Sequence, residues 1–301
     1  MRALVISGGG CKGAFGGGIA EFLIQECKNE YDIFIGSSTG SLLIPLLSIG
    51  EIEKLKEIFT TVSQEHIFNN CPFIIKKEDG QFKTRINHLG ILKMFIQGKK
   101  TFGESINLKQ LICKIITESD FKKMQLNKQE VIVTVSNLSH NRVEYKSLKE
   151  CTYCDFCDWM WASANVVPFM SLLVKDGFEY GDGGMGNIVP IYEALMRGAR
   201  EIDIILLKSQ TKMTMKTPVR NALEVTVRAF DFMLNQIVSD DIIIGKLEGT
   251  QRQVKLNFFQ PEEELTNNAL IFDPEQMRDW WQQGFLFAKN HDPICKHLEI
   301  K

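Results

Sequence analysis

The sequence predicts an α/β fold, a three-layer α/β/α arrangement with a mostly parallel central sheet, and three observations predict it. The first fifty residues spell strand, glycine loop, helix, strand, tight turn, helix, an alternation that gives a parallel sheet with helices on its faces. Continuous apolar runs at 3–7, 31–35 and 202–207 suit strands buried on both faces. The chain has 301 residues and is 44% hydrophobic, enough to fill one large core. We therefore expect a single domain over 1–301, with a core at about 1–210, a lid or insert at about 60–128, and C-terminal helices and a strand at about 211–301.

Taken in order, 3–7 is the first strand and Gly8-Gly9-Gly10-Cys11-Lys12-Gly13 the loop after it. Residues 14–27 place Phe15, Ile19, Phe22 and Leu23 at helical spacing. A second strand at 31–35 runs into the turn Gly36-Ser37-Ser38-Thr39-Gly40, and 42–49 is an apolar helix ending near Gly50. Residues 51–125 read as mainly helical and irregular, with basic clusters. A strand at 131–135 has a pairing partner at 142–145, and a helix covers 154–164. Runs at 172–175 and 178–180 flank Asp176-Gly177, a hairpin signal. Helix at 188–198, strand at 202–207, a long helix at 219–245, strand at 254–259 and a closing helix at 274–289 complete the chain.

Charge excludes one class of function and leaves others open. A net charge of −2 gives no general attraction to nucleic acid. The eight cysteines are scattered through a large chain, unlike a small disulfide scaffold. The apolar run at the N-terminus is too short for the core of a signal peptide, and no stretch approaches the ~20 apolar residues of a membrane span. These observations point to a cytoplasmic protein with reduced thiols; oligomeric state is left open, a homo-oligomer included.

The turn at 36–40 carries the first chemical signal. Gly-x-Ser-x-Gly holds a serine exposed on a sharp strand-to-helix turn, at a helix N-terminus that favours developing negative charge. Centring selects Ser38 as nucleophile and Gly36 and Gly40 as the residues that let the turn close. The pattern arises by chance in roughly one chain in ten of this length. The buried strand before it and the apolar helix after it set this instance apart from a plain glycine turn.

Two readings compete for the first glycine loop. Gly8-x-Gly10-x-x-Gly13 satisfies the dinucleotide fingerprint, which requires an acidic residue at the end of the second strand. Asp32 lies at about the right distance but at that strand's start. The loop serves equally as an oxyanion hole, in which the amides of Gly8, Gly9 and Gly10 converge on one oxygen and Lys12 adds positive charge. A hydrolytic serine also needs a base. His66, His88, His140, His291 and His297 all sit in surface or helix-end contexts. Asp182, in Tyr180-Gly181-Asp182-Gly183-Gly184, has open access on both sides and is the stronger candidate.

Together these residues resemble the patatin-like phospholipase family. The resemblance rests on Gly8-Gly9-Gly10-Cys11-Lys12-Gly13, on the turn from Gly36 to Gly40, on Ala162-Ser163-Ala164-Asn165-Val166-Val167-Pro168-Phe169, and on Asp182-Gly183-Gly184 with Asn187 and Pro190 nearby. Lysine stands at position 12 where plant members have arginine, and Ile188 suits bacterial-type members; 60–128 carries no family motif. The resemblance implies a Ser38–Asp182 dyad without histidine, an oxyanion hole at the first loop, supporting glycines at 13, 183 and 184, no cofactor or metal, and a phospholipid or lysophospholipid substrate. The alternatives are a nucleotide-binding or sensing protein built on the first loop and a catalytically silent membrane-binding scaffold.

Two features remain outside that picture. Cys151, Cys154 and Cys157 invite a metal reading but lack a fourth ligand nearby in sequence. Their spacing suits small apolar residues of a core helix leading to Trp159 and Trp161. Residues 76–100 combine Lys76, Lys77, Lys83, Arg85, Lys93, Lys99 and Lys100 with Phe82 and Phe95, the composition of a lid or of a peripheral contact with anionic lipid.

Overall fold

The computed structural model describes residues 1–78, 81–209, 218–219, 221–266 and 268–291. Its strands are β1 (Arg2–Ile6), β2 (Ile33–Ser37), β3 (Phe73–Glu78), β4 (Gln81–Ile86), β5 (Glu130–Asn137), β6 (Arg142–Ser147), β7 (Leu173–Lys175), β8 (Phe178–Asp182), β9 (Glu201–Ile205) and β10 (Lys255–Phe259). Its helices are α1 (Gly13–Glu21), α2 (Thr39–Ser48), α3 (Ile52–Thr61), α4 (Gln64–Ile67), α5 (His88–Ile96), α6 (Ile106–Ile115), α7 (Glu118–Leu126), α8 (Tyr153–Ser163), α9 (Ile191–Met196), α10 (Ala222–Gln251) and α11 (Pro274–His291).

Alternation along the buried strands sets the layers. In β1, Leu4 and Ile6 join a core shared with α1, α2, α3, α8 and α11, while Ala3 and Val5 join a second core with α9 and α10. β5 divides likewise, Val131, Val133 and Val135 to one side and Ile132 to the other. Helices thus cover both faces of the sheet, the three-layer α/β/α order expected from the sequence. The sheet runs β10-β9-β1-β2-β5-β8-β7, with β6 also on β5. β10, β9, β1, β2 and β5 are parallel, and β6, β7 and β8 are added by antiparallel pairing.

One register decides where the chemistry falls. β6 pairs with Ile132–Asn137 and so occupies one edge of β5 along those residues. The other edge is divided: β2 takes residues 130–134, with Ser37 opposite Thr134, and β8 takes residues 135–137, with Asp182 opposite Val135. β2 runs parallel to β5 and β8 antiparallel, so the two meet tip to tip at their C-terminal ends.

The structure corrects several expectations. Residues 51–125 contain, besides helices, the antiparallel hairpin β3–β4, separate from the main sheet. The helix expected over 14–27 is α-helical only to Glu21 and finishes in a π-helical turn, Phe22–Glu26. The helix after the serine turn begins at Thr39 rather than 42, and α10 runs on to Gln251. No helix among the described residues is long and apolar enough to cross a membrane.

Helices α1 and α11 cross with backbone in contact. A methyl group at Gly18 would overlap the Trp281 carbonyl, and one at Gly284 the Phe15 carbonyl. Gly18→Ala should therefore destabilise the fold by about 1–3 kcal/mol, the usual cost of overpacking, read as a lower urea midpoint. An unchanged midpoint would show that the crossing opens freely.

Candidate active site

Ser38 occupies the bend between β2 and α2, with φ 53° and ψ −124°. This is a left-handed conformation that a residue bearing Cβ holds only when its surroundings enforce it, at a cost of order 1–3 kcal/mol. The enforcement is visible. A Cβ at Gly36 would collide with the backbone of Gly40, and one at Gly40 with the Ile6 carbonyl, so the turn closes only with glycine at both positions. The Ser38 N–H donates to Ser163 Oγ at 3.0 Å, and its carbonyl accepts the Ser41 N–H at 3.0 Å. Ser163 lies in the segment 162–169 that the sequence singled out.

Asp182 ends β8 and faces this serine. Ser38 Oγ donates to Asp182 Oδ2 at 2.7 Å, Gly184 N–H donates to Oδ1 at 2.7 Å, and the Asp182 N–H is held by the Asn165 carbonyl at 2.9 Å. Both side chains are buried. Burial disfavours the charged carboxylate and raises its pKa to about 7, against the lowering effect of the Ser38 and Gly184 hydrogen bonds. Near neutral pH the group is therefore divided between acid and base. A Cβ at Gly183 would overlap the Thr134 carbonyl, one at Gly184 would crowd Asp182 Oδ1, and one at Gly13 would crowd Thr39 Oγ1.

The first glycine loop lies alongside. Its amides are not equivalent. Gly8 N–H is spent on the Ile188 carbonyl at 3.2 Å, and Cys11 N–H on Ala269 at 2.9 Å. Among the described residues no acceptor takes the N–H of Gly9 or Gly10. Gly8 packs against Ser38, since a Cβ there would lie 3.0 Å from Ser38 Cβ. Lys12 Nζ pairs with Glu264 Oε1 at 3.0 Å, and Ser209 Oγ donates to Oε2 of the same carboxylate at 2.9 Å. The lysine is thus tied to the segment that braces the loop from outside. Gly10, at φ 56°, is where Ala269 presses on the loop.

A third carboxylate organises the site and was not singled out in the sequence. Asp241, buried on α10, accepts from Asn187 Nδ2 (2.9 Å), Ile188 N–H (2.7 Å) and Val189 N–H (2.8 Å). The same segment passes its carbonyls inward: Asn187 accepts from Ser37 Oγ at 2.9 Å, and Ile188 accepts from Gly8. One side chain therefore fixes the strip of backbone that touches both the serine turn and the glycine loop. Burial raises its pKa to about 6, against the lowering effect of the two backbone bonds. Asp241 sits in an ordinary helical sequence, so only the unpaired donors after Asp182 could have pointed to it.

An apolar cavity reaches the serine turn at Thr39. Thr39 borders it together with Leu42, Ile58, Phe59, Ile112 and Met160, from α2, α3, α6 and α8. Its lining is almost wholly hydrocarbon.

Other candidates fall elsewhere. Asp32 lies at the N-terminal end of the second strand and accepts the Arg2 N–H at 2.8 Å; the strand end facing the loop is the serine turn. His66 caps α4, His140 packs at a tilt on Phe178, His88 opens α5 and His291 ends α11; none is hydrogen-bonded to Ser38 or Asp182. His297 and Cys295 lie outside the described residues. Of the cysteine run, only Cys157 is buried; Cys151 precedes α8 and Cys154 faces solvent, which corrects the expectation of three core positions. No group of His, Cys, Asp and Glu that could hold a metal occurs among the described residues.

The sequence profile of the patatin-like phospholipase family matches residues 4–195, and the chain belongs to that family. Membership supports lipid acyl hydrolysis in general terms. Among solved structures, VipD from Legionella pneumophila shares the fold with a TM-score of 0.53 at 14% identity, over 96% of this chain. The chain spans 66% of the VipD chain. No curated protein sequence matches it.

Two outcomes test this geometry. Asp241→Ala strands three donors in the interior and should cost about 2–4 kcal/mol in chemical denaturation. The raised pKa of Asp182 has a definite sign: the stability it contributes is full below the ordinary carboxylate range and is lost as pH rises through about 7. Asp182→Asn, which cannot ionise, should therefore lose less stability than wild type between pH 5 and pH 8 in parallel thermal melts. Equal losses would contradict the raised pKa.

Proposed function

We propose that this protein is a serine acyl-hydrolase that cleaves fatty-acyl esters of phospholipids or lysophospholipids through Ser38 and Asp182. The observation that carries the reading is the 2.7 Å hydrogen bond from Ser38 Oγ to Asp182 Oδ2 on a strained turn. Family membership supports the lipid class.

Asp182 accepts the hydroxyl proton while Oγ adds to the acyl carbonyl carbon. The N–H groups of Gly9 and Gly10, which have no acceptor among the described residues, meet the negative oxygen that forms. Collapse of the tetrahedral species breaks the ester C–O bond. The departing alcohol takes the proton from Asp182, and the acyl group stays on Oγ. Water then gives a proton to Asp182 as its oxygen adds to the acyl carbon; the second collapse frees the fatty acid and returns the proton to Ser38. The cavity beside Thr39 would receive the hydrocarbon chain, and its apolar lining supports a lipid over a polar ester. A buried carboxylate with a pKa near the working pH is suited to both accepting and returning a proton.

Ser38→Ala should abolish hydrolysis of a fluorescent ester, and Asp182→Asn should lower kcat about 10²–10⁴-fold. Wild-type kcat/KM should rise with pH through about 7 as Asp182 ionises. Equal hydrolysis by wild type and Ser38→Ala would end the enzyme reading, whereas persistent activity in Asp182→Asn would remove only the base assignment. A saturable thermal shift with NAD(P) in a hydrolytically silent protein would favour a nucleotide-binding role.

A further inference from the structure

Helix α5 carries large apolar side chains on both of its faces. Ile91 and Met94 are buried, while Leu89 is 80%, Leu92 53%, Phe95 60% and Ile96 78% exposed. Leu89, Leu92 and Ile96 fall at i, i+3 and i+7, one continuous stripe. A water-facing helix carries polar residues on its outer side; a helix apolar all round normally lies in a protein or lipid interior.

The hairpin beside it adds charge. Ile74 pairs with Arg85 and Lys76 with Lys83 across β3–β4, so these four share one face. Ile74, Lys76, Lys83 and Arg85 are all exposed. Lys83 is paired with Glu78, but Lys76, Arg85 and Lys93 of α5 form no ion pair among the described residues. The exposed cationic face of the hairpin and the exposed apolar stripe of α5, which carries Lys93, are thus consecutive in the chain, separated only by Asn87.

The whole element rests on the strip that holds the candidate base. Phe73 of β3 and Phe102 pack on Phe169 at 5.8 and 6.1 Å between ring centres, and Phe102 N–H donates to the Pro168 carbonyl at 2.8 Å. Phe169 belongs to the segment in which Asn165 holds the Asp182 N–H.

We propose that α5 and the outer face of the β3–β4 hairpin dock the protein on the surface of an anionic bilayer. The helix has nine residues, a length of about 13 Å, which suits a helix lying in the interface and not one spanning it. Hydrocarbon side chains enter the acyl boundary while lysine and arginine meet lipid phosphates. A second copy fits this face less well, because a two-fold contact sets the same unpaired cations against one another. The proposal deepens the acyl-hydrolase reading and rests on it for purpose, though the docking itself needs no catalysis.

The test uses the full chain carrying Ser38→Ala, so that binding is read without turnover. It is co-sedimented with phosphatidylcholine vesicles with and without phosphatidylserine. We expect retention on the anionic vesicles, loss on the neutral ones, and weakening with added salt. Leu89→Ser with Ile96→Ser, and separately Lys76→Glu with Arg85→Glu and Lys93→Glu, should each lower partition about tenfold or more. With Ser38 intact, the Leu89→Ser/Ile96→Ser protein should hydrolyse a soluble short-chain ester at the wild-type rate but lose hydrolysis of vesicle lipid. Equal partition of wild type and both variants, or equal binding to neutral vesicles, would overturn the proposal. So would self-association abolished by Leu89→Ser/Ile96→Ser in a protein that does not bind vesicles. Absence of ester hydrolysis in the wild type with vesicle binding intact would sink the hydrolase reading alone and leave the docking surface standing.

Discussion

The two edges of β5 constrain everything that matters in this molecule. With β6 along one edge, only a single line of backbone donors and acceptors remains for both β2 and β8. Neither can extend without displacing the other. Their ends abut, and the residue pairs at the junction, Ser37 with Thr134 and Asp182 with Val135, are consecutive along β5. Two polar side chains separated by 144 residues are brought within 2.7 Å by hydrogen-bond register. The short added strands β7 and β8 have no such role in a sheet that is wholly parallel; here they deliver a carboxylate.

Register alone leaves the loops beyond the strand ends free to move, and the rest of the structure removes that freedom. Asp241 grips the strip after Asp182 from one side of the sheet. The segment with Glu264 and Ala269 grips the glycine loop through Lys12 and Cys11. Between them the Ile188 carbonyl takes the Gly8 amide. The division of labour within the glycine run follows: the flanking amides of Gly8 and Cys11 hold the loop in place, and the Gly9 and Gly10 amides have no acceptor among the described residues.

Much of this was legible in the sequence because steric demands write themselves into residue type. Gly36 and Gly40 face backbone atoms and allow no substitute, so the serine turn could be read directly. The same holds for Asp182 among its glycines, and for the alternation of elements that predicts the layers. What could not be read depends on distance along the chain. Asp241 lies 54 residues from its Asn187 partner and looks like any helical aspartate. The binding of Gly8 by Ile188 and of Lys12 by Glu264 requires knowing which loops meet. The β3–β4 hairpin was legible in principle, since Asp79-Gly80 between β-branched and aromatic residues is a hairpin turn signal, but it lay within a stretch whose basic clusters read as helical and irregular. Cys151, Cys154 and Cys157 show the opposite error: a regular spacing was extended one turn beyond where α8 begins.

The α1–α11 crossing has a consequence for biosynthesis. Helix α1 is made well before α11, yet its Gly17 and Gly18 are covered by Trp281 of α11. β1 likewise waits for β9 to complete one of its sides. The strands that set the register of the serine turn and Asp182, β2, β5, β6 and β8, are all made before α11. A growing chain therefore carries Ser38 and Asp182 before the α1–α11 contact can form.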